Sequence, residues 1–191
     1  MVRSFRPEPV ERSVVERLID AGRRAPAAGN TSGRDFVVLC GPAQTATYWD
    51  VTLPRGPARD GFRFPGLLDA PVLVVPVVDP GAYVARYAEP DKARSELGDG
   101  AERWPVAYWT VDLAFAAMRI VDAAADEGLG ALFFGMFEHV PAVLAAVGVP
   151  EGREAIGTIA IGVPDPDREV AGRSASRPRR PLDDVVHWGA L

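Results

Sequence analysis

The residue types that do most enzyme chemistry are scarce in this chain, and their spacing excludes the commonest schemes. The two histidines, His139 and His187, sit in neither a G-x-S-x-G nucleophile elbow nor a zinc spacing such as H-E-x-x-H, so neither a triad hydrolase nor a zinc hydrolase is expected. The single cysteine, Cys40, allows no intrachain disulfide and no thiolate metal cluster, and reads as a small buried hydrophobe in a strand. Neither a Walker A sequence nor G-x-G-x-x-G occurs, and Gly128-Leu129-Gly130 follows a helical pattern rather than a strand, so a nucleotide would have to be held without those devices. The arginines are more informative. All but one of the 21 cations are Arg, the exception being Lys92, and several cluster near the two ends: Arg3, then Arg177, Arg179 and Arg180. Guanidinium forks suit a small anionic ligand.

The elements that must position these residues belong to an ordinary globular chain. With 191 residues, 48% hydrophobic, 25% charged and a net charge of −5, a single domain over 1–191 is expected. The longest apolar stretch, 70–78, is interrupted by Pro71 and Pro76 and falls far short of the roughly 20 residues a membrane span needs. No apolar core follows Met1 in the manner of a secretory leader, so a cytoplasmic protein is expected. The acidic balance argues against nucleic acid, whose binding rests on neutralising many phosphates.

Val14, Val15, Leu18, Ile19 and Gly22 recur at helical spacing, with Ser13 and Glu16 as a capping box, and predict a helix over 13–24. Pro26 then opens a small-residue loop. Strands are expected over 36–39, 72–78, 131–134 and 156–161, and helices over 42–50 and 140–147, with a helical turn at 83–88. The charged stretch 89–103 reads as a solvated loop or lid. From 105 to 127 an Ala-rich pattern predicts one long helix with Pro105 in its first turn and Gly128 as its stop. Its apolar character extends around most of the circumference, which predicts burial on more than one side or an oligomer interface. This order of elements gives a three-layer α+β or α/β domain. The tail 164–191 ends in a hydrophobic segment with no evident place in a core, as an arm over a partner subunit would.

Four segments taken together are distinctive: Arg3 with Phe5 before the first helix, Ala25-Pro26-Ala27-Ala28-Gly29-Asn30 after it, Gly128-Leu129-Gly130 leading into Phe133-Phe134-Gly135-Met136, and Arg177 with Arg179 and Arg180 before Pro181-Leu182. In order and spacing they resemble the FMN-dependent nitroreductase family over nearly the whole chain. The resemblance implies an α+β, three-layer α/β/α fold with a central mixed sheet, a long buried helix and a C-terminal arm embracing the partner of a homodimer. It implies FMN as cofactor, with NADH or NADPH as reductant and a nitroaromatic, quinone or similar small molecule as acceptor, in ping-pong order.

The residues follow from the same resemblance. Arg3, Arg177 and Arg179 would bind the FMN phosphate. Pro26, Ala27, Ala28 and Asn30 would line the ring and ribityl chain, where small side chains let backbone approach closely. Phe133, Phe134, Gly135 and Met136 would stand beside the ring, with the Gly135 N–H aimed at flavin N5, and Arg63 would meet the pyrimidine edge. Trp104, Tyr108 and Trp109 would wall a substrate channel or belong to the core. No metal and no catalytic side chain is expected. The chain departs from the family at Met1, which stands where Ser is usual, leaving the motif without its first Arg; at Ala27, in place of Ser; and at Ser32 and Arg34, in place of Gln and Trp. A flavin-binding storage or sensor protein without turnover, and a specialised flavin oxidase or dehydrogenase, stay open as alternatives.

Overall fold

The computed structural model describes residues 1–191. Helix α1 (Arg12–Arg23) buries Val15, Leu18 and Gly22. It begins one residue earlier than its pattern predicts, so Ser13 lies inside the first turn and the expected capping box does not form; Glu16 instead accepts from Arg12 at 2.8 Å. Strand β1 (Arg34–Cys40) leads directly into α2 (Gly41–Thr52), and the short α3 (Pro57–Asp60) follows. Strand β2 (Val72–Val78) precedes α4 (Pro80–Tyr87), where the Asp79 carboxylate caps the helix by accepting from the Gly81 N–H. The charged stretch that follows forms three short helical turns. Then come α5 (Tyr108–Asp126), β3 (Gly130–Phe134), α6 (Val140–Ala146), β4 (Glu154–Ala155) and β5 (Thr158–Gly162).

The layering follows from β2, which is buried over its whole length. Side chains alternate across a strand, so Leu73, Val75 and Val77 join Tyr48, Trp49, Val143 and Leu144 of α2 and α6 in one core. Val72 and Val74 join Val15, Leu18, Ala117 and Ile120 of α1 and α5 in the other. Helix α1 comes close to α5 at Gly22, where a Cβ would lie 2.7 Å from the Ile120 side chain.

The strand order is β1-β2-β5-β3, with β4 also on β2, and every pairing is antiparallel. The expected mixed sheet is therefore corrected. The crossover through α5 does give β2 and β3 the same direction, but β5 inserts between them running the other way, so no two neighbours are parallel. The predicted strand 156–161 is shifted to Thr158–Gly162, and the segment 154–162 meets β2 in two pieces. Its pairing with β2 covers Val72–Val74 through β5 and resumes at Val77 through β4, and the gap falls beside Pro76, which has no N–H to give.

Helix α5 starts three residues after Pro105 and buries one stripe: Trp109, Asp112, Leu113, Ala116, Ala117, Ile120 and Ala124. Its other side leaves Phe115 and Met118 about half exposed, at 49% and 53%, so within the chain the helix is buried on one side only. Gly128, at φ 73°, ends it with the Leu129 N–H returning to the Ala124 carbonyl at 2.8 Å. Cys40, expected to be buried, is exposed, because it closes an edge strand. Every residue from 173 to 191 is exposed, Trp188 and Leu191 among them. No helix is long and apolar enough to cross a membrane.

Tyr48 is buried between the sheet and α2, and burial raises its phenol from 10.0 to about 12. The folded state thus holds a proton that the unfolded chain releases above pH 10, and stability should fall as pH rises from about 10 to 12. Urea unfolding across that range is expected to lose roughly 2 kcal/mol that Tyr48→Phe does not lose.

Candidate active site

The loop that follows α1 is held by three charged side chains. Arg34, at the start of β1, donates to the Ala25 carbonyl (2.8 Å), the Pro26 carbonyl (3.1 Å) and the main-chain oxygen of Asp112 (3.1 Å). The Ala28 N–H donates to the Asp112 carboxylate at 2.7 Å, and Arg86 of α4 donates to the Gly29 carbonyl at 2.9 Å. Gly29 and Asn30 both take left-handed backbone, at φ 62° and 55°, which glycine and asparagine tolerate best. Pro26 and Asn30 are exposed, while Ala27 and Ala28 are half-buried.

The β3 end divides its four candidates by the alternation of a strand. Phe134 stacks on Trp49 with ring centroids 5.9 Å apart and meets Tyr48 edge-on, and Met136 is buried in the same core. Their side chains pack the interior. Phe133 is partly exposed, and Gly135 follows the last paired residue with its N–H free of any hydrogen bond within the chain.

The N-terminal segment lies across the other end of this strand. The Val2 N–H donates to the Ala131 carbonyl, the Arg6 N–H to that of Val163, and Phe5 is fully buried. Between them, Arg3 and Arg63 stand against the Phe64 ring, 5.7 and 5.6 Å from its centroid. The Arg3 N–H donates to both carboxylate oxygens of Glu169, at 3.2 and 2.9 Å, and Arg63 donates to the Ala171 carbonyl at 3.1 Å. Because β3 is an edge strand, its outer side is open from the neighbourhood of Arg3 to Gly135, roughly 15 Å at the rise of an extended chain.

Not all the candidates converge. The loop is anchored near the first turns of α5, whereas Arg3 lies beyond its last turn, roughly 20 Å away at 1.5 Å per helical residue. Arg177 and Arg179 sit on the exposed tail, and their guanidinium groups make no hydrogen bond or ion pair with the rest of the chain. Trp104 and Trp109 pack with Tyr83 in a third cluster and donate to the Leu97 carbonyl and the Glu154 carboxylate, so they are interior residues; Tyr108 is 45% exposed. A cavity of about 580 Å³ beside α1 and β1 includes none of the candidates.

Asp112, Arg34, Arg86 and Phe64 take part in this arrangement without having been singled out as ligands. Asp112 did carry a signal: it is a carboxylate at the i+3 position from Trp109 on the apolar stripe of a helix. Burial, followed by the Asp112 charge, pushes the neighbouring Tyr83 phenol well above its ordinary range.

Comparison with known proteins bears on the whole chain. An NADPH-dependent oxidoreductase of Staphylococcus saprophyticus is 20% identical over 188 residues, covering 97% of this chain and 68% of that protein. The NADPH:FMN oxidoreductase of Vibrio harveyi, solved in complex with NAD+, superposes with a TM-score of 0.68 at 20% identity, over 100% of this chain and 73% of that one. An FMN-dependent nitroreductase of Clostridium difficile gives 0.65 at 17% identity, over 100% and 94%. Residues 1–163 match the sequence model of the Nitroreductase family, and with its fold and its motifs in the same order the chain belongs to that family of oxidoreductases.

Proposed function

We propose that the protein is a homodimeric FMN-dependent NAD(P)H oxidoreductase whose acceptor is a nitroaromatic, a quinone or a similar small electrophile. The observation that carries the reading is the open edge of β3, with the Arg3 and Arg63 guanidinium groups near one end and an unbonded Gly135 N–H at the other. Those donors fit the two ends of FMN, a phosphate and a ring nitrogen. The V. harveyi and C. difficile enzymes of similar fold, named for FMN, support the same cofactor, and the staphylococcal relative supports NADPH as reductant.

FMN, when bound, supplies the hydride chemistry and passes two electrons to the acceptor. The chain's own part is to bind and orient. Arg3 would neutralise the phosphate together with Arg63, which stands beside Arg3 against Phe64 and is therefore reassigned from the pyrimidine edge expected for it, with Arg177 and Arg179 brought in by the tail. The Gly135 N–H would donate to the ring edge, where a fixed dipole favours the electron-rich form. Phe133 would border the ring. The loop bearing Pro26, Ala27, Ala28 and Asn30 would close the slot, its small side chains allowing backbone to approach a flat surface. No side-chain acid or base is required of the protein.

The homodimer is supported by apolar surface that the chain leaves uncovered: Phe115 and Met118 on α5, and Leu182, Val185, Trp188 and Leu191 on the tail. A second copy is the simplest cover for two such surfaces.

The purified protein is expected to be yellow, or to become so with added FMN, and its visible bands should bleach when NADPH is added anaerobically; a chain that takes up no FMN overturns the proposal. Arg3→Ala should weaken FMN binding by about 10- to 100-fold, the worth of a charge-assisted phosphate contact, and leave riboflavin binding unchanged in a flavin-fluorescence titration. Sedimentation velocity should give twice the chain mass for the wild type and the single chain mass for the Phe115→Glu, Met118→Glu double variant.

A further inference from the structure

The Asp112 carboxylate is hard to account for as a structural element. It is 3% exposed on the buried stripe of α5, where a charge is costly unless paired and hydrogen-bonded. No cation forms an ion pair with it, since Arg34 reaches only its main-chain oxygen. The nearby Tyr83 hydroxyl is buried without a well-formed hydrogen bond. The Tyr83 hydroxyl lies close enough to the carboxylate to interact with it, but the well-formed hydrogen bond that the carboxylate accepts comes from the Ala28 N–H, 84 residues away in sequence, at 2.7 Å. A leucine would fill the same place between Trp109 and Ala116 without burying a charge. What it would not do is turn the Ala28 peptide inward.

The neighbouring contacts have the same effect. Arg34 takes the carbonyls of Ala25 and Pro26, and Arg86 takes that of Gly29. Arg86 is itself held by both carboxylate oxygens of Asp91, at 2.8 Å each, and by Glu89. With its inward polar groups taken up, the loop keeps Gly29 and Asn30 in left-handed backbone and leaves the Asn30 side-chain amide unbonded and exposed.

We propose that Asp112 is a positioning residue for the flavin-facing loop: its carboxylate, assisted by Arg34 and Arg86, presets residues 25–30 in the form that receives the cofactor. This inference rests on the flavin reading above.

The test compares Asp112→Leu, which removes the acceptor and fills the volume, with Asp112→Asn, which keeps an acceptor oxygen, both in the full chain. Asp112→Leu is expected to raise the FMN dissociation constant at least tenfold, in the order of one lost charge-assisted bond. Its melting temperature should be equal to or above that of the wild type, because apolar replacement of a buried charge is often neutral or stabilising. Asp112→Asn should bind FMN within about threefold of the wild type. In the flavin-free protein, the Ala28 amide should exchange with solvent at least tenfold faster in the Leu variant and near the native rate in the Asn variant. Native FMN affinity and native Ala28 protection in Asp112→Leu overturn the assignment while leaving the flavin reading intact. A wild-type chain that binds no FMN overturns the flavin reading, and the assignment falls with it. Should Asp112→Leu fail to fold, Arg86→Ala decides: about threefold weaker FMN binding with faster Ala28 exchange supports the clamp, and native values for both overturn it.

Discussion

The burial of β2 on both faces is the constraint from which the rest of this structure follows. A seven-residue strand of valines, a leucine and one proline cannot leave either side in water without forfeiting most of its apolar burial, so helices must cover both. Helices α1 and α5 lie on one side and α2 and α6 on the other, and the edges of the sheet fall at β1 and β3. Beyond Ala131, whose carbonyl accepts from the Val2 N–H, β3 has no strand on its outer edge. It is there that the chain keeps backbone donors unspent.

The proposed site is built mostly from backbone and guanidinium groups. A glycine N–H left unpaired at a strand end, a pair of arginines against one phenylalanine ring, and a loop of small residues would provide donors and access without an acid, a base or a nucleophile. Such groups need accurate placement more than altered reactivity, and the structure concentrates its long-range polar contacts accordingly. Arg34, Arg86 and Asp112 all act on the backbone of one six-residue loop, and the N-terminal segment is pinned by Phe5 and by hydrogen bonds to residues more than 60 positions away. In the proposed reading, these polar groups supply position and a steady field to a bound cofactor.

Much of this was legible before folding. β2 could be read in full because a short branched apolar run bounded by Pro71 and Asp79-Pro80-Gly81 has few other solutions, and α5 because its Ala-rich pattern and Gly128 stop agree. The family could be read because four weak motifs occur in the right order. The first helix was legible in position but not in its cap, since Ser13 and Glu16 satisfy a sequence pattern that Arg12 preempts by pairing with Glu16. Phe133, Phe134, Gly135 and Met136 form one motif on paper, yet the alternation of the strand sends Phe134 and Met136 inward to Trp49 and its neighbours.

Local order along the chain therefore determined the elements, the family and the residue types able to hold an anion, because periodicity, turn residues and motif spacing act over a few positions. Tertiary structure alone decided which of those residues share a place. The antiparallel insertion of β5 between β2 and β3, the meeting of Ala28 with Asp112, the pairing of Arg3 with Arg63 over Phe64 and the exposure of Cys40 all depend on groups brought together from distant segments. Contacts across that distance are set by how buried faces close on one another, which no local pattern encodes.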